Sequence, residues 1–482
     1  MADKKRMRIL AVIFTVAVFA SACAGGAGSP PDALAAGSRG GEASVDANES
    51  RQLGGPGEQG NGESADSPDE TSTLDAAESG TVSNTDTGDA TASVENAAPA
   101  LESFDEASNG GTSAGDSSAG SASEPAAQSS QPSSQDPLDG LVTELIAFVE
   151  DERGLDFVER PDVVVLDSGS FNDEWRQVVV RDVGDNVEEF AEFTDIYQAV
   201  GIIDDGSELD EIWTRFGDAG VVGFYDIETK DIVLRGGELN KFTETVLVHE
   251  LVHALEDQVF GLDRDDEFAA RIDEIDWTFS ALIEGSARVI EGRYRARFSQ
   301  AELDEENAAR NSIPRSVSLS DFTSSFLELQ FGRYNYGEDF AASLWDVGQG
   351  ELDDALVNPP VTSESVVNPE SFLSGADDLE EMPFPPADGE IFERGTWGQA
   401  GIAALLADVY GQSEALELSQ GWGSDRFVAW RSGDIACVRL HVSADSPEAL
   451  DRYADAFEDW AQLGDRQVFF PTADLIRVTS CG

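Results

Sequence analysis

The residues best placed to do chemistry are His249, Glu250 and His253, which together form an HExxH pattern. Residues four apart lie on one face of an α-helix, so both imidazoles can reach a single tetrahedral zinc ion. Glu250 follows the first histidine and would lie close to the open position of that metal, where it could take a proton from an attacking water. The whole chain has 3 histidines, so chance accounts poorly for this pattern.

The helix that must carry this motif is predicted from about Asn240 to Val259 and ends at Gly261. Apolar residues surround the motif on nearly every side of that helix: Val246, Leu247, Val248, Leu251, Val252, Ala254 and Leu255. A helix that is apolar all round is buried. Burying two histidines and a glutamate costs free energy unless something compensates their polarity, and a zinc ion would do so.

Glu284 is the best candidate for the third protein ligand that a catalytic zinc site usually has. It stands among small and apolar residues in a second predicted helix, from about Asp273 to Phe298. A carboxylate buried there needs a cation; the alternative is a glutamate on an exposed face. Gly285 and Ala281 are small, and we expect them to let this helix approach the metal helix closely.

Several other polar residues are weaker candidates. Three of them could replace Glu284 as ligand: Glu256, Asp257 and Glu291. Asp257, one turn beyond His253, fits better as a hydrogen-bond acceptor behind a ligand. Three more are candidates in principle for stabilising an oxyanion: Tyr334, Tyr336 and His441. His441 lies on a predicted strand, where a structural role is the stronger interpretation.

The elements around the two helices indicate an α+β fold, with strands before and after a helical centre. The apolar run 163–166 is typical of a buried strand, and 220–225 and 231–234 form a candidate hairpin. Further helices are predicted at 138–152, 190–203, 399–410 and 446–463. Further strands are predicted at 426–430, 435–442 and 475–479. The C-terminal part is therefore strand, helix and strand.

The N-terminus indicates export. Residues 1–8 are basic, and 9–20 form an apolar run shorter than a typical membrane-spanning helix. Small residues follow at 20–22, and then Cys23. This order resembles a bacterial lipoprotein signal, which implies cleavage before Cys23 and a diacylglycerol on its thiol. The alternative is an ordinary secretory signal with an incidental cysteine, and both place the mature protein outside the cytoplasm.

Composition divides the chain into a signal peptide at 1–22, a stalk at 23–136 that begins with the lipidated cysteine, and a globular part at 137–482. The stalk is rich in Ser, Gly, Ala and acidic residues, and it has too little apolar surface to fold. The globular part is either one unit or two lobes that divide near residue 300. The net charge of -65 argues against nucleic acid as a partner. It is typical of a solvated acidic surface; an acidic groove that steers basic substrates is the alternative.

The cysteines fit an oxidising compartment. They are Cys23, Cys437 and Cys481, so lipidation of the first leaves one pair. The strand at 475–479 could pair beside 435–442, and a Cys437–Cys481 disulfide would then join the chain end to the sheet. Such a bridge would stabilise the fold by roughly 3–4 kcal/mol at most. The alternative is two free thiols.

The HExxH motif with its downstream Glu284 resembles the gluzincin metallopeptidases, the thermolysin-like clan. The similarity is closer to a group of poorly characterised exported bacterial zinc-peptidase-like proteins. Five segments carry it: 222–226, 248–258, 282–287, 358–369 and 421–426. It covers most of 137–482 but not the stalk. Glu284 lies 31 residues after the second histidine, farther than in thermolysin.

This resemblance implies a zincin-like core, in which a short sheet with an edge hairpin packs on the HExxH helix. It implies one Zn²⁺ held by His249, His253 and Glu284, with Glu250 as the general base. The hairpin would offer an edge strand to an extended peptide through main-chain hydrogen bonds.

The sequence therefore predicts a zinc-dependent peptidase that acts on peptides or proteins and is anchored by lipid to the outside of the bacterial cell membrane. The alternative is a catalytically inactive zinc-containing module that binds a partner at the cell surface. Glu250 favours the enzyme, because a structural zinc site does not require a glutamate there.

Overall fold

Helices predominate in the structure, a computed structural model that describes residues 13–15, 137–185, 187–236, 239–268, 271–313, 317–376 and 379–482. These residues belong to one compact unit. Cys23 and the stalk lie outside them, as does the signal peptide except for 13–15.

The described part contains fifteen α-helices, two 3-10 turns and nine strands. The strands are β1 Ile13–Thr15, β2 Asp162–Leu166, β3 Gly223–Tyr225, β4 Asp231–Arg235, β5 Glu390–Gly395, β6 Trp422–Ser432, β7 Ile435–Ala444, β8 Arg466–Thr472 and β9 Leu475–Cys481. The α-helices are α1 Pro137–Arg153, α2 Ser168–Asp185, α3 Val187–Val200, α4 Leu209–Gly220, α5 Lys241–Phe260, α6 Asp265–Phe268, α7 Ile275–Arg295, α8 Gln300–Ser312, α9 Ser324–Val347, α10 Gln349–Val357, α11 Ser363–Val367, α12 Pro369–Leu373, α13 Gly398–Tyr410, α14 Gln412–Leu418 and α15 Pro447–Trp460. The 3-10 turns are Leu319–Asp321 and Ala461–Leu463.

The first sheet has the order β1-β3-β4-β2. The predicted hairpin is confirmed, since β3 and β4 pair antiparallel. Asp226 fixes the turn between them, because its Oδ1 accepts from the backbone N–H of Glu228 and Thr229 at 2.9 and 3.2 Å. Lys230 ends the turn with a φ of 64°. β2 pairs parallel to β4, as strands joined through intervening helices can.

The motif helix α5 matches its prediction within a residue at each end. Asn240 caps its start, where the side chain accepts from the backbone N–H of Phe242 and Thr243. Gly261 ends it with a φ of 72°, a conformation that glycine adopts without steric cost. Most of the helix is buried, and it packs against β3 and β4 on one side and α7 on another.

Helices α7 and α9 make a very close contact. A Cβ on Gly285 would lie 1.9 Å from the carbonyl oxygen of Gly337, and a Cβ on Gly337 would lie 2.0 Å from that of Ala281. The expectation that Gly285 and Ala281 bring α7 close to the metal helix is therefore wrong. The small residues face α9, and α7 packs against α5 through other side chains.

The second sheet has the order β5-β6-β7-β9-β8, with antiparallel pairs throughout. The predicted pairing of β7 and β9 is confirmed, and its register places Cys437 opposite Cys481. The structure joins these two cysteines in a disulfide with a Cα–Cα distance of 4.1 Å. Helix α15 packs against this sheet.

The fold is mixed α+β, with two small sheets among the described residues. The predicted helices and strands are found within a few residues. The elements for which no bounds were predicted are α2, α4, α6, α8, α9, α10, α11, α12, α14, β1, β5 and β8. Within the ranges that the structure describes, no helix is both long and apolar enough to cross a bilayer.

Candidate metal centre

The structure brings His249, His253 and Glu284 together from two helices. One ligand atom from each residue lies within 4.8 Å of the others. His249 Nε2 is 3.2 Å from Glu284 Oε2, and His253 Nε2 is 3.6 Å from the same oxygen. Glu284 is 3% exposed, so the alternative of a glutamate on an exposed face is wrong.

The donor set fits a zinc ion. Both ring nitrogens of His253 lack a hydrogen-bond partner among the described residues, although the side chain is completely buried. Buried polar atoms nearly always have a partner, so this imidazole is arranged for a ligand. Two imidazoles and one carboxylate are the protein ligands of a common class of catalytic zinc site.

Glu291 holds the other side of His249. Its Oε2 lies 3.2 Å from His249 Nδ1, and Arg288 Nη1 donates to the same carboxylate at 3.0 Å. A carboxylate behind a ligating histidine fixes the tautomer and the orientation of the ring. The seven-residue spacing between Glu284 and Glu291, two turns of one helix, was a signal that could have identified this role.

Asp257, expected in that role, lies elsewhere. Its Oδ2 accepts from Tyr225 Oη and from Lys230 Nζ, both at 2.6 Å, and its Oδ1 accepts from the backbone N–H of Leu262 at 3.0 Å. The prediction is wrong because Asp257, four residues beyond His253, faces the β3–β4 hairpin. It joins that hairpin to the end of α5.

The two histidines differ in their electrostatic surroundings. Burial alone would lower the pKa of His249, but hydrogen bonds to Glu284 and Glu291 raise it to about 9. Burial lowers the pKa of His253 to about 4. Burial alone would raise the pKa of Glu291, but Arg288 and His249 lower it to about 2. A metal that binds here must displace the proton of His249.

Glu250 lies on the sheet side of α5 and is completely buried. A Cβ on Gly223, the first residue of β3, would lie 2.9 Å from Glu250 Oε1 and 2.6 Å from Val246 Cγ1. A side chain at position 223 would therefore force Val246 or Glu250 to shift. The carboxylate is held between the motif helix and the strand of the hairpin.

The carboxylate of Glu256 forms an ion pair and does not face the candidate metal ligands. Its Oε1 is 3.0 Å from Arg153 Nε and also accepts from Ser286 Oγ. Arg153 Nη2 in turn is 2.8 Å from Asp353 Oδ1. This network joins α1, α5, α7 and α10, so Glu256 has a structural position.

The three candidates for an oxyanion role are in different places. Tyr334 Oη donates to Glu284 Oε1 at 3.1 Å, so it belongs to the centre. Tyr336 Oη donates instead to Glu328. His441 Nε2 accepts from Arg477 Nε at 3.0 Å, across the β7–β9 pair, which is a structural role.

Protein-family models, curated proteins and solved structures contain no match to this chain.

Proposed function

We propose that this chain is a zinc-dependent peptidase in which His249, His253 and Glu284 hold one Zn²⁺ and Glu250 is the general base. The observation that carries the proposal is the meeting of two imidazoles and a carboxylate in a completely buried place, where one imidazole has no hydrogen-bond partner among the described residues. A structural role for these residues would leave that imidazole unexplained.

Zinc bound by three protein ligands supplies Lewis-acid chemistry, polarising a carbonyl and lowering the pKa of water. Glu291 and Arg288 keep the ring of His249 in place. Tyr334 holds the Glu284 oxygen that does not face the histidines. Glu250 takes the proton of the attacking water and passes it to the leaving amine.

We also propose a zincin-like core formed by α5 and the β3–β4 hairpin. In support, β3 pairs antiparallel with β1, an extended segment of this same chain, with Ile13 opposite Tyr225. β1 lies in the predicted signal peptide. Once that peptide is removed, the same edge of β3 would accept a strand of the substrate through main-chain hydrogen bonds.

The proposed place of action is the outer face of the cell membrane, with Cys23 as the lipid-bearing residue. Its thioether-linked diacylglycerol would carry the protein into a detergent phase. A Cys23→Ser variant should therefore move from the detergent phase to the aqueous phase of the fractionated cells. Unchanged partitioning of that variant would refute lipidation.

The test of the enzyme is Glu250→Gln in the full chain. The amide keeps the size of the side chain but cannot act as a base, so cleavage of a diverse peptide library should fall by about 100-fold or more. Zinc content, measured by elemental analysis, should stay at the wild-type value. Glu244→Gln on the same helix is the matched control, since Glu244 bonds to Lys241 and Tyr294 and not to the metal ligands.

The second candidate function, a zinc-containing binding module without activity, gives a different result. Wild-type protein with a full complement of zinc would then cleave nothing in the library. If Glu250→Gln kept wild-type cleavage, the assignment of the base would be wrong. If His249→Ala kept its zinc, the site itself would be wrong.

A further inference from the structure

A cavity of about 140 Å³ lies beside the metal centre. Helix α9 links the two, because Tyr334 donates to Glu284 while its neighbour Arg333 lines the cavity. Trp277, two turns before Glu284 on α7, also lines it. The cavity and the proposed metal site therefore share the helices α7 and α9, and the charge of Glu284 acts on Arg333.

Aromatic rings form part of the cavity wall, beside charged side chains. They include Tyr197, Trp277, Trp397 and Phe427. The rings of Tyr197 and Trp397 are 6.4 Å apart between centroids. Walls of this kind bind the apolar part of a ligand, and a small number of polar groups then determines its orientation.

Arg333 is the cation of this cavity that has an unsatisfied polar atom. Its Nε is buried and has no hydrogen-bond partner among the described residues, and the same is true of Trp397 Nε1. A guanidinium presents its donors as a rigid planar fork that matches the two oxygens of a carboxylate. An arginine without a partner for Nε, at the wall of a cavity, is arranged to bind an anion from outside the protein.

Acidic residues also line the cavity, and two of them are engaged already. Asp273 forms a bidentate contact with Arg271, with the shortest distance 2.6 Å. Glu274 accepts from the backbone N–H of Ser363 at 3.0 Å, and burial raises its pKa to about 8. Neither of these two gives the cavity a free negative charge at neutral pH. Asp276 and Glu393 line the cavity as well, as do the two cations Arg333 and Arg394, and the charge of Asp276 acts on Arg333.

We propose that this cavity binds a carboxylate-bearing residue of the substrate and that Arg333 holds the carboxylate. The identity of the substrate as a peptide rests on the proposed function. A peptide can supply a carboxylate from its free C-terminus or from an Asp or Glu side chain. Both sources have the same chemistry, so the experiment has one arm for each.

The experiment uses the zinc-loaded full chain and two matched pairs of fluorogenic peptides. One pair differs only in a free C-terminal carboxylate against a C-terminal amide, and the other only in Glu against Gln at one position next to the cleaved bond. We expect kcat/KM to favour the acidic member of at least one pair by about 10-fold or more, the range for a charge-assisted hydrogen bond. The pair that shows the preference identifies the source.

Variants test whether Arg333 causes the preference. Arg333→Gln removes the charge, and the ratio within the pair should fall to about 2-fold or less, while Arg333→Lys should keep part of it because the charge remains. Arg176→Gln is the control for the loss of one positive charge outside the cavity, since Arg176 Nη2 pairs with Asp218 Oδ2 at 3.2 Å. It should keep the wild-type ratio.

Binding separates this inference from the proposed enzyme. Calorimetry with the Glu250→Gln variant should show that the same acidic peptides bind more tightly, and that adding Arg333→Gln removes the difference. Binding without any cleavage by wild-type protein would reject the peptidase and leave the carboxylate site standing. Equal binding within both pairs, no binding at all, or a preference for Lys in place of Glu would overturn the inference.

Discussion

The helical centre and the C-terminal sheet bury different chemistry. In the centre, formed by α5, α7 and α9, the buried side chains include two histidines and several acids, with Glu284 and Glu291 among them. In the sheet, β7 and β9 bury mainly apolar residues, such as Leu440, Val442 and Val478, and they are joined by a disulfide.

The difference shows that the two regions depend on different conditions. Buried charges cost free energy unless paired or bound to a metal, so the centre depends on its ion pairs and on the ion that we propose it binds. Apolar burial needs no partner of that kind. The sheet depends instead on the oxidised state of its two cysteines. Perturbing the metal and perturbing the disulfide should therefore affect separate parts of the molecule.

Removal of zinc should have the largest effect. A ligand that binds only the folded state stabilises it by about 4 kcal/mol at a free concentration a thousand times its Kd. Chelation, or Glu284→Ala, should remove this stabilisation and abolish cleavage. Hydrogen exchange should show faster exchange in α5 and α7, with β6, β7 and β9 unchanged.

His441→Ala is the matched control for the ligand substitutions, because it removes a buried histidine from the sheet. It should keep its zinc and its cleavage activity. After chelation, hydrogen exchange in the sheet could become faster by as much as it does in α5. That result would show that the two regions are not independent.

Loss of the disulfide should have the next largest effect on stability. The cysteines are 44 residues apart in sequence, and opening a loop of that size should lower the free energy of unfolding by about 3–4 kcal/mol. Cys437→Ser with Cys481→Ser should therefore denature at lower denaturant concentration. Zinc content and kcat/KM at low temperature should not change. Recovery of both cysteines as free thiols from exported wild-type protein would contradict the bridge itself.

A pair of glycines on α7 gives the smallest predicted change. Gly285→Ala places a Cβ against the backbone of α9, and overpacking of this kind costs about 1–3 kcal/mol. Gly292→Ala meets nothing within 4 Å and should be neutral or stabilise the helix by up to about 1 kcal/mol. Thermal unfolding of the two variants measures whether each change lowers or raises stability. Equal changes in stability would mean that α7 and α9 are not packed as closely at Gly285 as the structure indicates.

Local patterns were enough to predict which three residues come together as the candidate metal ligands. The four-residue spacing of His249 and His253 places them on one helical face whatever surrounds the helix. The apolar surroundings of Glu284 predicted its burial, because a carboxylate there needs a compensating group. Asn240 and Gly261 marked the ends of α5, since capping is a local interaction.

Contacts between distant segments could not be predicted in this way. The spacing of Glu284 and Glu291 places both on one face of α7, but the packing of α7 and of the hairpin decides that Glu291, and not Asp257, reaches His249. The partner of Gly285 is a glycine in α9, and nothing in the sequence around either residue identifies the other. Arg333 belongs to no motif; its proposed role comes from a cavity formed by five separate parts of the chain.

The hairpin is attached to the motif helix at both ends of β3. Gly223 faces Glu250 at one end, and at the other Tyr225 donates to Asp257, which also binds Lys230 in the turn. A strand fixed at both ends cannot slide along the helix. A peptide paired to it would therefore have one fixed register relative to Glu250. Side chains of an extended peptide alternate between two faces, and the cleavage pattern should then be selective at every second residue and tolerant between.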